Sequence, residues 1–245
     1  MTELDFPGRA APVFFERETD STNTRLKAMA AQAADGTVVA AGRQTVGRGR
    51  LGRSFASPEG GVYLSILFSP HSEPSRCLTM TPTTAVAVYQ AIQRVCGVSP
   101  DIKWPNDLQL GGRKLCGILT ESVVSCGEAK IVVGIGINLN TRPEDLPPEL
   151  RSSACSVFSV TGHITQPKLL IRELVTSLDT MYARWLGDPH CALDEYRSAC
   201  ITPGRRVRRG NICGEALGVD RDFALLVRLD SGEIIPVTSG EVLDA

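Results

Sequence analysis

The chain has 245 residues, of which 42% are apolar, so its composition supports a hydrophobic core and excludes wholesale disorder. Its 26 Lys and Arg residues against 27 Asp and Glu residues give a net charge of −1, which excludes bulk charge as the means of holding DNA or a membrane. No apolar run approaches the roughly 20 residues of a bilayer span. At about 150 residues per domain, the length fits one large unit with a small appendage.

The cysteines and histidines form no metal-binding or redox motif. The first nine residues have no apolar signal-peptide core, and no Cys-x-x-Cys pair occurs. The sequence therefore predicts reduced thiols in a cytoplasmic protein. The thiols are those of Cys77, Cys96, Cys116, Cys126, Cys155, Cys191, Cys200 and Cys213. The three histidines, His71, His163 and His190, lie far apart in sequence, and we predict no structural zinc site.

Predicted strands and one helix alternate through the first seventy residues. Val13–Glu16 predicts the first strand, and residues 37–41 predict a second one made of small residues. Residues 20–23 can cap a helix that carries Leu26, Met29 and Ala30 on its apolar face. Val62–Phe68 predicts a strand covered on both faces, because apolar side chains occupy nearly every position.

Two amphipathic helices enclose a series of predicted strands in the middle of the chain. The first helix has apolar residues at helical spacing from Ala85 to Val95 and stops at Gly97; the second follows Pro167, from Leu170 to Trp185. The strands between them are predicted at residues 101–104, 107–110, 115–120 and 131–139, with Gly111 and Gly112 turning one hairpin.

The character of the sequence changes near Pro203. Short apolar runs at residues 224–229 and 233–237 alternate with turn residues, which is typical of a small β-barrel. We therefore predict two domains, residues 1–202 and residues 203–245.

The densest chemical signal is an arginine loop, which we define as residues 47–53. Its sequence is Gly47-Arg48-Gly49-Arg50-Leu51-Gly52-Arg53, and it fits the dinucleotide fingerprint and nearly fits a phosphate-binding P-loop. Both motifs require a helix directly behind the glycines, but residues 57–61 read Ser-Pro-Glu-Gly-Gly and cannot continue one. What remains is a mobile loop that presents guanidinium groups to an anion. By composition alone, a solvated basic loop that touches RNA stays an equal alternative.

Three further motifs follow in the chain. They are Lys103-Trp104-Pro105-Asn106-Asp107, the run from Gly112 to Glu121, and Gly134-Ile135-Gly136-Ile137-Asn138-Leu139-Asn140. Lys114 enters an apolar strand, so we expect its amine to point along a cleft wall. Glycines inside a strand often mark the close approach of a ligand. Taken singly, each motif also fits a structural role: a surface Lys-Trp pair, a solvated hairpin tip and a weakened strand.

Together and in this order, these motifs closely resemble those of the biotin–protein ligases, from Ser21-Thr22-Asn23 to the C-terminal β unit. The resemblance implies an α+β fold: a mixed β-sheet catalytic domain with flanking helices, related to class II aminoacyl-tRNA synthetases, plus a small C-terminal SH3-like β-barrel. It also implies a two-step reaction. Biotin and MgATP form biotinyl-5′-AMP and pyrophosphate, and a lysine of a biotin carboxyl carrier domain then accepts the biotinyl group.

The resemblance implies roles for named residues, with ATP and Mg²⁺ as the cofactors. Lys114 and Arg48 are expected at the reacting groups, and Asp107 at the metal. The biotin-binding residues implied are Ser21, Thr22, Asn23, Gln44, Arg48, Gly49, Arg50, Lys114 and Gly117. Those implied for ATP and the adenylate are Arg48, Arg50, Arg53, Phe55, Lys103, Asn106, Asp107 and Asn138.

Several alternatives and departures stay open at this point. Phe55 stands where the family often has tryptophan. Only about a dozen residues precede the first predicted strand, so we expect no N-terminal DNA-binding domain and no DNA partner. Lipoate or octanoate transfer and a biotin-sensing repressor are the competing functions. Family members occur both as monomers and as dimers, which leaves a homodimer open. The cluster Arg205, Arg206, Arg208 and Arg209 fits a solvated strand edge better than a docking site.

Overall fold

The structure is a computed structural model that describes residues 1–70, 74–125, 128–240 and 242–244. His71 and Cys126 lie outside the described residues. The elements in chain order are β1 (Thr2–Leu4), β2 (Val13–Glu16), α1 (Thr22–Met29), β3 (Val38–Ala41), β4 (Val62–Phe68), α2 (Pro74–Cys77), α3 (Met80–Cys96), β5 (Asp101–Lys103), β6 (Asp107–Leu110), β7 (Arg113–Ser125), β8 (Glu128–Ile137), α4 (Val157–Thr161), α5 (Pro167–Gly187), α6 (Leu193–Ala199), β9 (Arg206–Arg209), β10 (Ile212–Val219), β11 (Leu225–Leu229), β12 (Ile234–Val237) and β13 (Leu243–Asp244).

A mixed sheet of eight strands, in the order β1-β2-β3-β4-β8-β7-β6-β5, forms the centre of the molecule. Its strands pair antiparallel except for β2 and β3, which run parallel. β4 lies inside this sheet and is buried at all seven positions, which confirms the expectation drawn from its continuous apolar sequence.

The two faces of the large sheet carry cores of unequal size. The helices α3 and α5 pack against each other and against one face, where most of the buried apolar side chains meet. The single helix α1 covers part of the other face over a small core of Leu26, Ala30, Val39, Leu67 and Val132. Because α1 has only eight residues, it leaves much of this face open for a site.

Five antiparallel strands form the second sheet, in the order β12-β11-β10-β9-β13. Trp104 joins it to the larger unit, because its indole N–H donates to the carbonyl of Phe223 at 2.9 Å. Arg197 of α6 likewise donates to the carbonyl of Val219 at 2.8 Å, and the rings of Tyr196 and Phe223 meet edge to face. The Lys-Trp pair is thus not surface packing, since Trp104 is only 3% exposed.

Most predicted elements are present, and the differences have local causes. The strand β1 precedes the strand predicted to be first. Its three residues pair with β2, but they are too few to produce a periodic pattern in the sequence. The short helices α2, α4 and α6 were likewise not predicted. The hairpin of β7 and β8 also extends farther than predicted, to Ser125 and Glu128.

The helices and the cysteines agree with what the composition led us to expect. Among the described residues, no helix has both the length and the apolar character that crossing a membrane requires. All seven cysteines in the described part of the chain carry free thiols. Burial raises the pKa of the Cys116 thiol well above its ordinary value.

Candidate functional site

A cavity of about 130 Å³ opens on the α1 face of the large sheet. Its lining comes from the N-terminus of α1, the arginine loop, the β5–β6 turn and the strands β7 and β8. The lining residues are Ser21, Thr22, Asn23, Gln44, Arg48, Gly49, Arg50, Leu51, Arg53, Ser54, Phe55, Asn106, Asp107, Lys114, Gly117, Ile118, Leu119, Gly134, Ile135 and Gly136.

Two paired glycines form a floor on which the ring of Phe55 rests. Gly117 of β7 and Gly136 of β8 are directly opposite each other in the sheet. A Cβ added at Gly136 would lie 2.6 Å from Cε1 of Phe55, and one at Gly117 would lie 3.1 Å from Cε2. The glycines therefore leave the space that the ring needs to approach the sheet backbone. The sequence predicted that a ligand approaches the Gly-Ile-Gly-Ile motif, and this stays a prediction.

Backbone hydrogen bonds close the arginine loop. The N–H of Gly49 donates to the carbonyl of Arg53 at 2.7 Å, and the N–H of Phe55 donates to that of Gly47 at 2.9 Å. At the tip, Leu51 has a φ of 55° and is 80% exposed. This closed turn places the arginines of the loop over the cavity, and the mobility that the sequence predicts stays a prediction.

Short hydroxyls and amides meet at one end of the cavity. Gln44 accepts from the backbone N–H of Thr22 at 2.8 Å and donates to Oγ of Ser57 at 2.9 Å. Oγ of Ser65 lies 2.7 Å from Oγ1 of Thr22 and 2.5 Å from Oδ1 of Asn23. Apart from the half-buried Gln44, these groups are buried, and they satisfy one another's hydrogen bonds, which suits recognition of a small polar ring in a dry pocket.

Glu121, the last residue of the run that begins at Gly112, is a site residue that the sequence motifs did not indicate, and it anchors this polar end. Its two carboxylate oxygens accept from Nδ2 of Asn23 and from Nζ of Lys27, both at 2.8 Å. Burial raises the pKa of Glu121, but the hydrogen bonds from Lys27 and Asn23, with the charges of Lys27 and Arg48, outweigh burial and hold that pKa below its usual range. Glu121 is therefore an ionised acceptor at neutral pH.

Charged groups meet at the other end of the cavity. Nζ of Lys114 lies 2.7 Å from Oδ2 of Asp107 and 5.9 Å from the centre of the Phe55 ring. Oδ1 of Asp107 is buried and has no hydrogen-bond partner in the part of the chain that the structure describes. Arg50 donates to Oδ1 of Asn106 at 2.8 Å, and Nδ2 of Asn106 donates to the carbonyl of Ile118 at 2.9 Å. The arrangement provides cations and a carboxylate where an anionic ligand could react.

The structure brings most of the predicted site residues together. All of them line the cavity except Lys103 and Asn138. Asn138 directly follows β8 and is buried; its amide donates to the carbonyl of Cys155 at 3.0 Å, and its Oδ1 has no partner within the described chain. The sequence did not single out Ser65. Its only signal was a polar residue inside an otherwise apolar buried strand.

The cavity thus has buried hydroxyls and amides at one end and charged side chains at the other, an arrangement typical of a site for a small molecule. A family model described as "Biotin/lipoate A/B protein ligase family" matches residues 14–138, just over half of the chain. The chain belongs to this family.

Individual relatives resemble the chain over most of its length. The "Biotin--[acetyl-CoA-carboxylase] ligase" of Paracoccus denitrificans is 32% identical over 89% of this chain and 95% of its own. The "Bifunctional ligase/repressor BirA" of Bacillus subtilis is 35% identical over 82% of this chain, which spans only 64% of that protein's length. The solved structure of the biotin protein ligase from Aquifex aeolicus in complex with biotin and ATP superposes with a TM-score of 0.83 at 29% identity, covering 94% of this chain and 97% of that one.

Proposed function

We propose that this protein is an ATP-dependent biotin–protein ligase. In the first step, an oxygen of the biotin carboxylate attacks the α-phosphorus of ATP. The bond from the α-phosphorus to the bridging oxygen breaks, and pyrophosphate leaves with that oxygen. In the second step, a carrier lysine amine attacks the acyl carbonyl of biotinyl-5′-AMP, an amide forms, and AMP leaves. The observation that carries the proposal is one cavity that holds the Lys114–Asp107 pair, the arginine loop and the Ser21–Asn23 hydroxyls and amides together.

The polar end of the cavity fits the ureido ring of biotin. That ring has one carbonyl acceptor and two N–H donors on an otherwise apolar bicycle. Ser21, Thr22 and Asn23 are each 3% exposed, so a ring bound there is shielded from water. Buried polar groups bind strongly only ligands that satisfy them, which gives specificity.

The charged end fits the reacting groups. Bringing a carboxylate to a phosphate places two anions together, so cations aimed at the transferring group supply most of the catalysis. Lys114 enters the cavity from β7 beside the glycine floor, and Arg48 enters from the loop above it. We assign to these two side chains the stabilisation of charge in the first step.

ATP would bring Mg²⁺, and one residue of this chain is suited to it. Mg²⁺ is commonly held by one or two carboxylates together with substrate phosphates and water. Oδ1 of Asp107, which has no hydrogen-bond partner among the described residues, is such an oxygen, and it would hold the ion that neutralises phosphate charge. Within the described residues, no group of three or more Asp, Glu, His or Cys side chains is placed to hold a metal alone.

Further parts of the proposal concern domains, location and partners. We assign residues 1–202 to a catalytic domain of the class II synthetase type and residues 203–245 to an SH3-like barrel, supported by the separate five-stranded sheet. Free thiols and an ATP substrate fit a cytoplasmic enzyme. Beyond Ile118, β7 pairs with β8 on one side and with no other strand of the described chain, and this free edge would allow a homodimer to form.

Mass spectrometry of an isolated biotin carboxyl carrier domain tests the function. The domain is incubated with this protein, MgATP and either biotin or lipoate, and a carrier with its target lysine changed to arginine is the control. We expect the mass of one biotinyl group on the lysine carrier only. Transfer of lipoate in preference to biotin would establish the other activity of the family, and no transfer of either would refute ligation.

A further inference from the structure

The second unit, residues 203–245, approaches the cavity at two places, and a backbone carbonyl group makes the contact at each. The carbonyl of Phe223, in the turn between β10 and β11, accepts the indole N–H of Trp104 at 2.9 Å. The carbonyl of Gly240, between β12 and β13, accepts from Nη1 of Arg50 at 3.4 Å. The same nitrogen donates to Oδ1 of Asn106 at 2.8 Å. Both contacts thus lead to the hydrogen bond between Arg50 and Asn106, which links the arginine loop to the β5–β6 turn.

The carbonyl of Phe223 is directed at Trp104 by a turn of unusual backbone conformation. Phe223 has a φ of 61°, in the left-handed region that bulky residues rarely adopt. Oδ1 of Asp220 accepts from the backbone N–H groups of Asp222 and Ala224, at 2.9 and 2.8 Å, and these bonds hold the turn in shape. Phe223 and Trp104 are both buried, so loss of the indole N–H would leave the carbonyl unsatisfied away from water.

Trp104 fixes the start of the β5–β6 turn, and the sheet fixes its middle. The backbone N–H of Trp104 donates to Oγ1 of Thr202 at 2.9 Å, in addition to the indole bond. Two residues farther on, the carbonyl of Asn106 accepts from the N–H of Ile118, and Nδ2 of Asn106 donates to the carbonyl of Ile118, both at 2.9 Å. Asn106 is therefore held between the second unit and β7, and its Oδ1 is a fixed acceptor for Arg50.

Gly240 occupies a position that does not accommodate a side chain. Its φ is 99°, a conformation that favours glycine, and a Cβ added there would collide with Nε of Arg209. In Gly240→Ala the backbone at this position must therefore shift, which moves the carbonyl that faces Arg50. Gly240 is not part of the cavity lining, so this change leaves the groups that would touch a ligand in place.

We propose that Trp104 and Gly240 are positioning residues through which the second unit holds the arginine loop closed and so retains the bound adenylate. Neither residue lines the cavity, and both act through the bond between Arg50 and Asn106. A loop that stays closed for longer keeps a reactive intermediate away from water for longer. The inference rests on the proposed function, because the intermediate it concerns is biotinyl-5′-AMP.

The half-life of biotinyl-5′-AMP on the full chain tests the inference. The complex is formed from radiolabelled biotin and MgATP and mixed with excess unlabelled biotinyl-5′-AMP, and release of the label is followed. Trp104→Phe keeps an aromatic ring but lacks the indole N–H, and Gly240→Ala displaces the second carbonyl. We expect each variant to shorten the half-life about three- to tenfold, the effect of one hydrogen bond. The Kd for biotin alone should change less than about twofold, because the polar end of the cavity is untouched.

Two comparisons distinguish positioning from a general loss of structure. Arg197→Gln is the matched control, since it removes another hydrogen bond between the units, from Arg197 to the carbonyl of Val219 at 2.8 Å, that lies outside the β5–β6 turn. We expect its half-life to match the wild type. In an Arg50→Ala background, Trp104→Phe and Gly240→Ala should shorten the half-life no further, because the loop has already lost the bond on which they act.

Hydrogen exchange of the free protein tests the same contacts without the reaction. The backbone N–H groups of Gly49 and Phe55 close the arginine loop, and their exchange reports its opening. We expect this exchange to be about three- to tenfold faster in Trp104→Phe and Gly240→Ala and unchanged in Arg197→Gln.

Three results would overturn the inference in a wild type that forms the adenylate. They are unchanged half-lives in both variants, an equal shortening in Arg197→Gln, and a full further shortening in the Arg50→Ala background, which would mean independent effects. If Trp104→Phe does not fold, Gly240→Ala alone decides by its half-life and its exchange rates. A wild type that forms no adenylate would instead refute the proposed function.

Discussion

Arg50 of the arginine loop is joined to Asn106 of the β5–β6 turn by a hydrogen bond of 2.8 Å from the guanidinium to Oδ1. The same nitrogen lies 3.4 Å from the carbonyl of Gly240 in the C-terminal unit. Asn106 is held in turn by the carbonyl of Ile118, at 2.9 Å. Arg50 thus connects the loop over the cavity to the sheet and to the second unit.

Replacing Arg50 should change retention of the intermediate more than its formation. Arg50→Gly removes the hydrogen bond to Asn106 and adds backbone freedom, so we expect the free energy of closing the arginine loop to become about 1–3 kcal/mol less favourable. Lys114 and Arg48 remain, so biotinyl-5′-AMP should still form but escape before the carrier lysine arrives. The measurement is free adenylate plus nonspecific biotinylation, divided by biotinylation of the carrier domain.

The ratio should rise in Arg50→Gly and stay close to wild type in Arg43→Gly. Arg43 is the matched control because it lies outside the cavity lining and pairs with Glu18 at the surface. An unchanged ratio, with both steps equally slow, would mean that Arg50 acts in the chemistry and not in retention.

Removing the amine of Lys114 should slow activation without abolishing biotin binding. Lys114→Ala takes away the cation beside Asp107, and we expect adenylate formation to fall by roughly two to three orders of magnitude, as when one oxyanion donor is lost. Biotin affinity should fall far less, because the Thr22 end of the cavity is intact. Pyrophosphate release measures the first effect and calorimetry with biotin the second, with the exposed Lys168→Ala as control. Release at the wild-type rate would exclude Lys114 from the first step.

Phe55 offers a test of what lies on the glycine floor. If its ring contacts adenine, Phe55→Trp should tighten binding of a non-hydrolysable adenylate analogue by about 0.5–1.5 kcal/mol, because the larger ring adds stacking and burial. Gly136→Ala is the companion variant, since its Cβ would lie 2.6 Å from Cε1 of Phe55 and must displace the ring. Calorimetry that shows equal affinity in Phe55→Trp and the wild type would make Phe55 a packing residue of the loop.

How far the sequence predicts this molecule depends on whether a feature is local. The helix α3 and its end at Gly97 follow from periodicity and from a glycine with a φ of 69°. The cavity lining at Lys114 and the arginine loop follows from motifs of contiguous residues. The hydrogen bonds that link Glu121, Asn23, Ser65 and Thr22 do not follow from any such motif. They join residues from α1, β4 and β7, whose proximity depends on strand order. Ser65 and Glu121 each look ordinary in sequence, and only the register of the sheet gives them a common partner in Asn23.

The stability of the polar end should depend on pH through Glu121. Its pKa is lower in the folded protein than in the unfolded chain, so the folded state favours the carboxylate. The contribution of Glu121 to the free energy of unfolding is therefore complete above the usual carboxyl pKa and is lost as pH falls through the lowered one.

Glu121→Gln lacks this contribution at every pH. We expect the difference in Tm between wild type and Glu121→Gln to be largest near neutrality and to shrink as the buffer is acidified below about pH 4. Lys27→Gln keeps the carboxylate but removes the hydrogen bond and charge that lower its pKa, so the Tm of this variant should fall less on acidification than that of the wild type. Thermal melts of the three proteins across this range provide the measurement. A Tm difference that stays constant from neutral to acid pH would show that Glu121 has the same pKa in both states and is not held as the charged anchor of Asn23.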